Sequence, residues 1–279
     1  MKETLYILSL FISTTVYSQD FNYFDYRNKL DWNLWEQNKV TPELLKSNFE
    51  VIKDNPWNDI NSVLKNQISF HLFDTDCDSI SELIYCGWNG NEGEMVIIYK
   101  NDKGKFRETQ RFYGAIFEIR KNETNQIRFI VAEFSCCGGY VDHVVTFDYS
   151  TKKQLFEVVN SIAKIDLTIL PTDWIDPIKF EIRNTPYFLR YSPEIKKGPK
   201  DGEYDFDAIQ GQNISAIYNS GDTGTVYAKS TDCTGRVWWF VIMDRNPEKG
   251  KSLYTEGSNK FNKFKPIGWI SSRFLDIIE

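Results

Sequence analysis

An acidic stretch bounded by apolar runs, residues 71–99, constrains the fold more than any other part of this 279-residue sequence. Asp74, Asp76 and Asp78 stand at alternate positions, and Glu82 follows them. The flanking runs are rich in β-branched and aromatic residues, which favour β-strands. A Gly-rich turn then leads into a further apolar run. The pattern predicts consecutive strands, the first two of which are joined by a strongly acidic loop.

The spacing of these acids suits a hard cation. Calcium takes six to eight oxygen ligands at about 2.3–2.6 Å, and carboxylates at alternate loop positions can wrap one ion. The predicted ligands are the side chains of Asp74, Asp76, Asp78 and Glu82 and the main-chain carbonyl of Ile80. Ser79 stands where the EF-hand loop has Gly, and Tyr85 stands where it has its last Glu. The alternative is a solvated acidic turn without an ion, although carboxylates this close repel each other unless something neutralises them.

The same loop resembles the acidic loop of FG-GAP/VCBS β-propeller blades, which reads Asp-x-Asp-x-Asp-Gly-x-x-Asp-Leu before a strand. The residues at the corresponding positions here are Asp74, Asp76, Asp78, Ser79, Glu82 and Leu83. In that family the loop holds calcium or braces a hairpin. The resemblance therefore implies calcium as a cofactor of this loop.

A faint internal repeat follows the acidic loop. Residues 83–106 resemble residues 129–156 in three short strand-like pieces. The period is about 46–50 residues, the size of one propeller blade, but a propeller needs at least four blades. We therefore expect residues 19–170 to form an open or partly closed β domain, with short helices near residues 41–52 and 60–64. Coincidence between two strand-turn-strand units is the alternative.

The first 18 residues read as an export signal. Lys2 supplies a positive start, and residues 5–16 form an apolar stretch that is too short to span a membrane. Small residues at positions 16 and 18 predict cleavage before Gln19, and a buried N-terminal helix is the alternative. We expect a secreted or periplasmic protein. The net charge of −6 argues against nucleic acid or an anionic membrane surface as a partner.

Five cysteines follow the predicted signal, and an exported chain favours disulfides. Cys86 and the neighbours Cys136 and Cys137 each follow an equivalent strand of the repeat, so we predict a disulfide between Cys86 and one of that pair. Cys77 is expected to bond the other, which leaves Cys233 free. Metal binding by these cysteines is the weaker alternative, because no Cys-x-x-Cys motif is present.

From residue 178 onward the sequence changes to short strand-like runs separated by Gly-rich turns. The pieces that resemble a bacterial SH3-type domain are residues 189–193, Gly221 with Gly224, residues 235–241 and the closing residues 268–275. The resemblance implies a small SH3-like β-barrel over residues 178–279. We therefore expect a mainly β chain, in which a β domain with short helices and blade-like strands precedes this barrel.

Domains of this type bind cell-wall peptides or act as adaptors, and the groove, where there is one, is aromatic. The resemblance implies a ligand surface made by Tyr187, Arg190, Arg236, Trp239 and Trp269. Successive residues of a strand point to opposite faces, so one member of the Trp238–Trp239 pair is expected in the core and the other can be exposed. The alternative is that all these aromatic residues pack inside the barrel.

The sequence offers one local pairing of a nucleophile with a base, Cys136 or Cys137 with His143. No acid shares the expected face of His143 at close spacing, so the third group that such catalysis needs is missing from the pattern. We expect an exported, non-enzymatic binding module whose barrel recognises a cell-wall component or an envelope protein. An immunity-type protein that neutralises a secreted toxin is the alternative, and a cysteine hydrolase is a weaker third.

Overall fold

The computed structural model describes residues 21–35, 40–53, 59–90, 93–134, 141–196, 212–247, 252–254 and 264–278. These residues form a mainly β structure with short helices, which confirms the predicted fold class. None of the helices they form is long and apolar enough to cross a membrane. The predicted export signal, Cys136 and Cys137 lie outside the described residues.

The chain divides into two compact units. Of the described residues, 25–134 and 144–160 form what we call the acidic-turn unit. Residues 21–24 and 141–143, together with those from 161 onward, form the C-terminal unit. Residues 161–177, which were predicted to precede the C-terminal domain, therefore belong to the C-terminal unit.

Short helices precede the strands of the acidic-turn unit. The α-helices are α1 (Pro42–Ser47), α2 (Phe49–Ile52) and α3 (Ile60–Lys65), and the 3-10 helices are Tyr26–Asn28 and Gln67–Ser69. Helix α1 begins where the sequence predicted, because Thr41 Oγ1 accepts a hydrogen bond from the Leu44 N–H at 3.2 Å and proline occupies the first helical position. Asp59 caps α3 in the same way.

An antiparallel sheet with the order β1-β2-β3-β4 follows the helices. Its strands are β1 (Phe70–Phe73), β2 (Glu82–Trp88), β3 (Glu94–Asp102) and β4 (Lys105–Tyr113). The register pairs Phe73 with Glu82 and Trp88 with Glu94. Alternate residues of β2 and β3 are buried in one cluster with apolar residues of the three helices. The acidic loop thus connects two strands whose register is fixed by a packed face.

A second run of neighbouring strands has the order β5-β6-β7-β8. Its strands are β5 (Ala115–Lys121), β6 (Ile127–Glu133), β7 (Val141–Ser150) and β8 (Leu155–Ile165). Gly114 leads into β5 with a φ of +108°, and a Cβ at this position would lie 2.5 Å from the carbonyl oxygen of Ala132. Residues 83–85 and 129–131, which the repeat pairs, each lie in the second strand of a run. The likeness to propeller blades stays a prediction.

The C-terminal unit is built from short antiparallel strands. They are β9 (Trp174–Ile182), β10 (Tyr187–Arg190), β11 (Ile214–Tyr218), β12 (Thr223–Thr231), β13 (Val237–Met243), β14 (Lys265–Ser271) and β15 (Leu275–Ile277), with a 3-10 helix at Ser272–Phe274. The order is β15-β9-β12-β13-β14, and β10 pairs with both β14 and β11. Strand β14 also pairs in parallel with Ile162 and Ala163 of β8.

Residues from most of these strands share one aromatic and aliphatic core. Gly268 allows β14 to approach β10 closely, since a Cβ there would lie 2.6 Å from the carbonyl oxygen of Arg190. The short strand-like runs predicted from residue 178 onward fall among these strands. The strand order does not show a separate SH3-like barrel, so that resemblance also stays a prediction.

Candidate functional site

The acidic loop between β1 and β2 brings three carboxylates together. One side-chain oxygen from each of Asp74, Asp76 and Asp78 lies within 4.8 Å of the others, a spacing at which these groups could hold a metal ion. Local hydrogen bonds fix the loop, because Asp74 accepts from the N–H groups of Asp78 at 3.1 Å and Ser79 at 2.9 Å. These hydrogen bonds hold the loop in a defined turn that keeps the three carboxylates close together.

Two residues of this turn adopt left-handed backbone conformations. Cys77 has a φ of +61° and Ser79 a φ of +70°. The EF-hand pattern places Gly at the position of Ser79 because Gly reaches this region without steric cost. Here the sharp turn forms with serine, so the departure from the motif does not prevent the geometry.

Glu82 lies apart from the three aspartates. It is the first residue of β2 and is 2% exposed, and its Oε2 accepts hydrogen bonds from Thr75 N at 2.9 Å and Thr75 Oγ1 at 2.8 Å. Burial, with a smaller contribution from the charges of Asp76 and Asp78, raises the pKa of Glu82 above its ordinary value. The main-chain N–H of Ile80 donates to Asp78 Oδ1 at 2.7 Å. Three of the five predicted ligands therefore form the cluster.

Asp76 already has partners within the acidic-turn unit. Its Oδ2 accepts from Lys100 Nζ at 3.2 Å and from Tyr149 Oη at 3.1 Å. Burial and the nearby Asp76 carboxylate raise the pKa of Tyr149, which keeps its hydroxyl protonated. Lys100 neutralises part of the charge of the cluster, so a metal ion at this turn would compete with an ammonium group.

A second candidate site is a cavity of about 480 Å³ in the acidic-turn unit. Its lining residues come from the segment before α1 and from the ends of β2 and β3; they are Tyr26, Arg27, Lys29, Leu30, Asp31, Trp32, Asn33, Ser69, Cys86, Gly87, Trp88 and Glu94. A volume of this size lies within the range of small-molecule sites. The sequence analysis did not predict this cavity.

A polar network links three of the residues that line the cavity. Lys29 Nζ donates to Glu94 Oε1 and, at 3.0 Å, to Tyr26 Oη, whose hydroxyl in turn donates to Glu94 Oε2 at 3.2 Å. Burial lowers the pKa of Lys29, but the hydrogen bonds with Glu94 and Tyr26 outweigh it and leave the pKa above its ordinary value. The network ties the N-terminal segment to the start of β3 and holds Lys29 in its charged form.

Three aromatic side chains, those of Tyr26, Trp32 and Trp88, are among the described lining residues. Trp32 is buried, and its indole N–H donates to the carbonyl oxygen of Ser69 at 2.9 Å. Trp88 is 56% exposed and Tyr26 is 53% exposed. Trp88 lies opposite Glu94 in the β2–β3 register, so the two side chains lie on the same face of the hairpin. The cavity therefore combines exposed ring faces with a charged pair.

The residues predicted to line an aromatic groove lie in the C-terminal unit, mostly in its interior. Tyr187, Arg190, Trp239 and Trp269 are buried, and Arg236 is half-buried. Tyr187 Oη donates to the carbonyl oxygen of Ser271 at 2.6 Å, and Trp269 Nε1 donates to that of Ile169 at 2.7 Å. These aromatic side chains have internal partners and offer a ligand little surface.

Neither member of the Trp238–Trp239 pair is exposed, in contrast to the expectation. Trp238 donates its indole N–H to Asp232 Oδ2 at 2.9 Å, and the Arg236 guanidinium lies 5.7 Å from its ring centroid. Lys229 Nζ lies 5.6 Å from the ring centroid of Trp239. Both faces of β13 are covered, so the alternation of the strand does not expose either ring.

The described cysteine side chains contradict the predicted disulfide bonds. The free thiols among the described residues are those of Cys77, Cys86 and Cys233. The predicted disulfide between Cys86 and Cys136 or Cys137 is therefore wrong, and so is the disulfide expected for Cys77. Cys86 is buried within β2, and burial raises the pKa of its thiol to about 12. A thiol that remains protonated at neutral pH is a poor nucleophile.

Searches of protein-family models, curated proteins and solved structures find no match for this chain. The features of this chain that bear on function are therefore the geometry of the acidic turn and that of the cavity.

Proposed function

We propose that this chain is an exported, non-enzymatic binding protein whose ligand is a component of the cell wall. The observation that carries the proposal is the cavity of the acidic-turn unit, with Trp88 and Tyr26 exposed beside the Lys29–Glu94 pair. Large exposed aromatic surfaces next to a concave site are typical of ligand contact. Residues 1–18, which read as an export signal, support a location where wall material is accessible.

The chemistry of the cavity supports binding rather than catalysis. The Lys29 ammonium and the Glu94 carboxylate are paired with each other, so neither is poised as an acid or a base. Cys86, the one thiol among the described lining residues, is buried and protonated. These groups can orient a ligand by hydrogen bonds without attacking it.

The proposed contact surface lies in the acidic-turn unit and not in the predicted aromatic groove. Four of the five groove residues are buried, and interface hot spots need a side chain that a partner can reach. Trp88 meets that requirement in the acidic-turn unit. Of the five predicted groove residues in the C-terminal unit, only Arg236 is exposed enough to contact a ligand.

We also propose that the acidic turn binds calcium and braces the entry to β2. The support is the cluster of Asp74, Asp76 and Asp78, although Lys100 reduces the affinity by occupying Asp76. We expect a dissociation constant of roughly 10⁻⁴ to 10⁻³ M, as in other extracellular modules. Isothermal titration with calcium should give heat for the wild type and for Asp102→Ala, an exposed acid outside the cluster, and none for Asp76→Ala. Equal heat from Asp76→Ala would refute the site.

The wall-binding proposal is tested by co-sedimentation. The mature protein is mixed with purified cell-wall sacculi, and in parallel with immobilised envelope proteins and with candidate secreted toxins. We expect retention on the sacculi that is lost with Trp88→Ala and kept with Phe274→Ala, an exposed aromatic residue of the C-terminal unit. Retention by a toxin alone would overturn the proposal in favour of the immunity-type alternative, and no retention on sacculi would overturn it outright.

A further inference from the structure

We infer that the cavity of the acidic-turn unit holds a neutral sugar ring of a glycan chain, stacked on Trp88 and hydrogen-bonded to Glu94 and Lys29. The inference rests on the proposed function and names the class of ligand that the cavity recognises. Three observations lead to it: the balance of charge in the lining, the exposed aromatic rings, and the remaining hydrogen-bonding capacity of Lys29 and Glu94.

The charged residues of the lining cancel. Arg27 and Lys29 are positive and Asp31 and Glu94 are negative, and no other charged residue lines the cavity within the described part of the chain. Both basic groups are already paired, Lys29 with Glu94 and Arg27 with the neighbouring Asp25. A strongly anionic ligand would meet two carboxylates, and a cationic ligand would meet two basic groups. A neutral ligand avoids both costs, so the charge balance favours a polar molecule without net charge.

Aromatic sites can recognise quaternary ammonium ligands, and in this cavity a cation of the chain already occupies such a position. Lys29 Nζ lies 5.0 Å from the ring centroid of Tyr26, which is the cation–π geometry that such a ligand would need. The Tyr26 hydroxyl group donates a hydrogen bond to Glu94, which also fixes the position of the Tyr26 ring. Trp88 is the other exposed aromatic ring among the described lining residues, and a ligand can stack against its exposed part.

The face of Trp88 fits the flat apolar side of a sugar ring. Trp88 is 56% exposed at the end of β2, although large aromatic side chains are usually covered in folded proteins. Gly87 precedes it, and a Cβ there would lie 2.7 Å from the Tyr85 hydroxyl oxygen. Tyr85 in turn donates to the main-chain carbonyl of Trp88 at 2.8 Å. The backbone that carries the indole ring is therefore held in place before a ligand arrives.

The polar pair retains capacity for ligand hydroxyl groups. An ammonium group has three N–H donors, and those of Lys29 serve Glu94 and Tyr26, which leaves one to donate to a sugar oxygen. A carboxylate accepts at about four lone-pair positions, and Glu94 uses two, for Lys29 and Tyr26. Both side chains keep some exposure, at 20% for Lys29 and 25% for Glu94. A sugar hydroxyl group can accept a hydrogen bond from Lys29 and donate one to Glu94, so it can pair with both side chains.

The test measures binding of the mature protein to a panel of defined oligosaccharides, using an N-acetylglucosamine tetramer and other neutral glycans beside sulfated and sialylated ones. We expect a neutral glycan to bind and to quench tryptophan fluorescence. Trp88→Ala should weaken that binding about 30-fold, as expected for loss of a stacking hot spot. Trp88→Phe, which keeps a ring face, should recover most of the affinity, and Phe274→Ala should leave it unchanged.

A second variant addresses the polar pair. Glu94→Gln keeps the volume of the side chain and removes its charge, and we expect about tenfold weaker binding because charge-assisted hydrogen bonds are the stronger kind. Thermal unfolding of each variant shows that the fold is retained. Binding of the charged glycans alone, binding of none of the panel, or neutral-glycan binding that is indifferent to Trp88→Ala would each overturn the inference. Retention on sacculi without glycan binding would overturn the inference and leave the proposed function standing.

Discussion

Replacing Trp269 by alanine distinguishes a core role from a ligand-binding role for the C-terminal aromatic residues. Trp269 is 2% exposed, its indole N–H donates to the carbonyl oxygen of Ile169, and its ring meets that of Phe240 at a centroid distance of 5.3 Å. Removing a buried tryptophan costs about 3–5 kcal/mol through lost burial and the cavity that remains. The loss of the hydrogen bond adds about 1 kcal/mol. Trp269→Ala should therefore remove a large part of the folding stability of the C-terminal unit.

Urea denaturation followed by circular dichroism measures this loss. Phe274→Ala is the control, because its ring is 45% exposed and its removal should change the free energy of unfolding by less than about 1 kcal/mol. Retention on cell-wall sacculi is measured on the folded fraction of both variants. If Trp269→Ala kept its stability within about 1 kcal/mol of the wild type and lost retention, Trp269 would be a surface contact and the packing argument would fail.

Three further predictions follow from single residues. Because burial raises the pKa of Glu82, the folded chain holds the proton of this carboxyl group more tightly than the unfolded chain does. The stabilising contribution of the protonated side chain therefore falls as pH rises from the ordinary pKa of 4.5 through the raised pKa. Glu82→Gln should remove this fall in urea titrations at a series of pH values, and identical pH slopes for the variant and the wild type would contradict the prediction. Gly114→Ala should cost more stability than Gly104→Ala, because both have positive φ but only Gly114 faces a main-chain clash, and equal unfolding midpoints would argue against that clash. Native-state alkylation should label Cys77 and spare Cys86 until the protein is unfolded, whereas rapid labelling of Cys86 would show that β2 is open.

Local patterns predicted local structure well. The helix start near residue 41 appears where the sequence placed it, because a helix cap is decided by residues close in the sequence. The strand-like runs after residue 178 also form strands, since β-branched and aromatic residues suit a pleated, half-buried surface. The aspartate cluster was also predictable from spacing alone. Glu82 was not, since the pairing of β1 with β2 places it in a strand opposite Phe73, and the pleat rather than the loop sets its direction.

The exposure of aromatic residues and the cavity could not be predicted in the same way. Alternation along β13 assigns Trp238 and Trp239 to opposite faces but does not tell whether something covers both. The cavity joins Tyr26 and Lys29 to Trp88 and Glu94, which are some sixty residues away in the sequence. Only the tertiary fold brings such residues together, and no motif of short spacing marks them.

The division of the chain between its two units has a consequence for the order in which they are completed. Synthesis proceeds from the N-terminus, and domains generally fold as units once their residues have emerged. The acidic-turn unit has all its residues when position 160 has been made, so it can fold early. Residues 21–24 and 141–143 of the C-terminal unit are made by then, but their partners from 161 onward are not. During biosynthesis, a finished unit therefore carries an unfinished one, whose core residues stay exposed to proteases and chaperones until the last strands arrive.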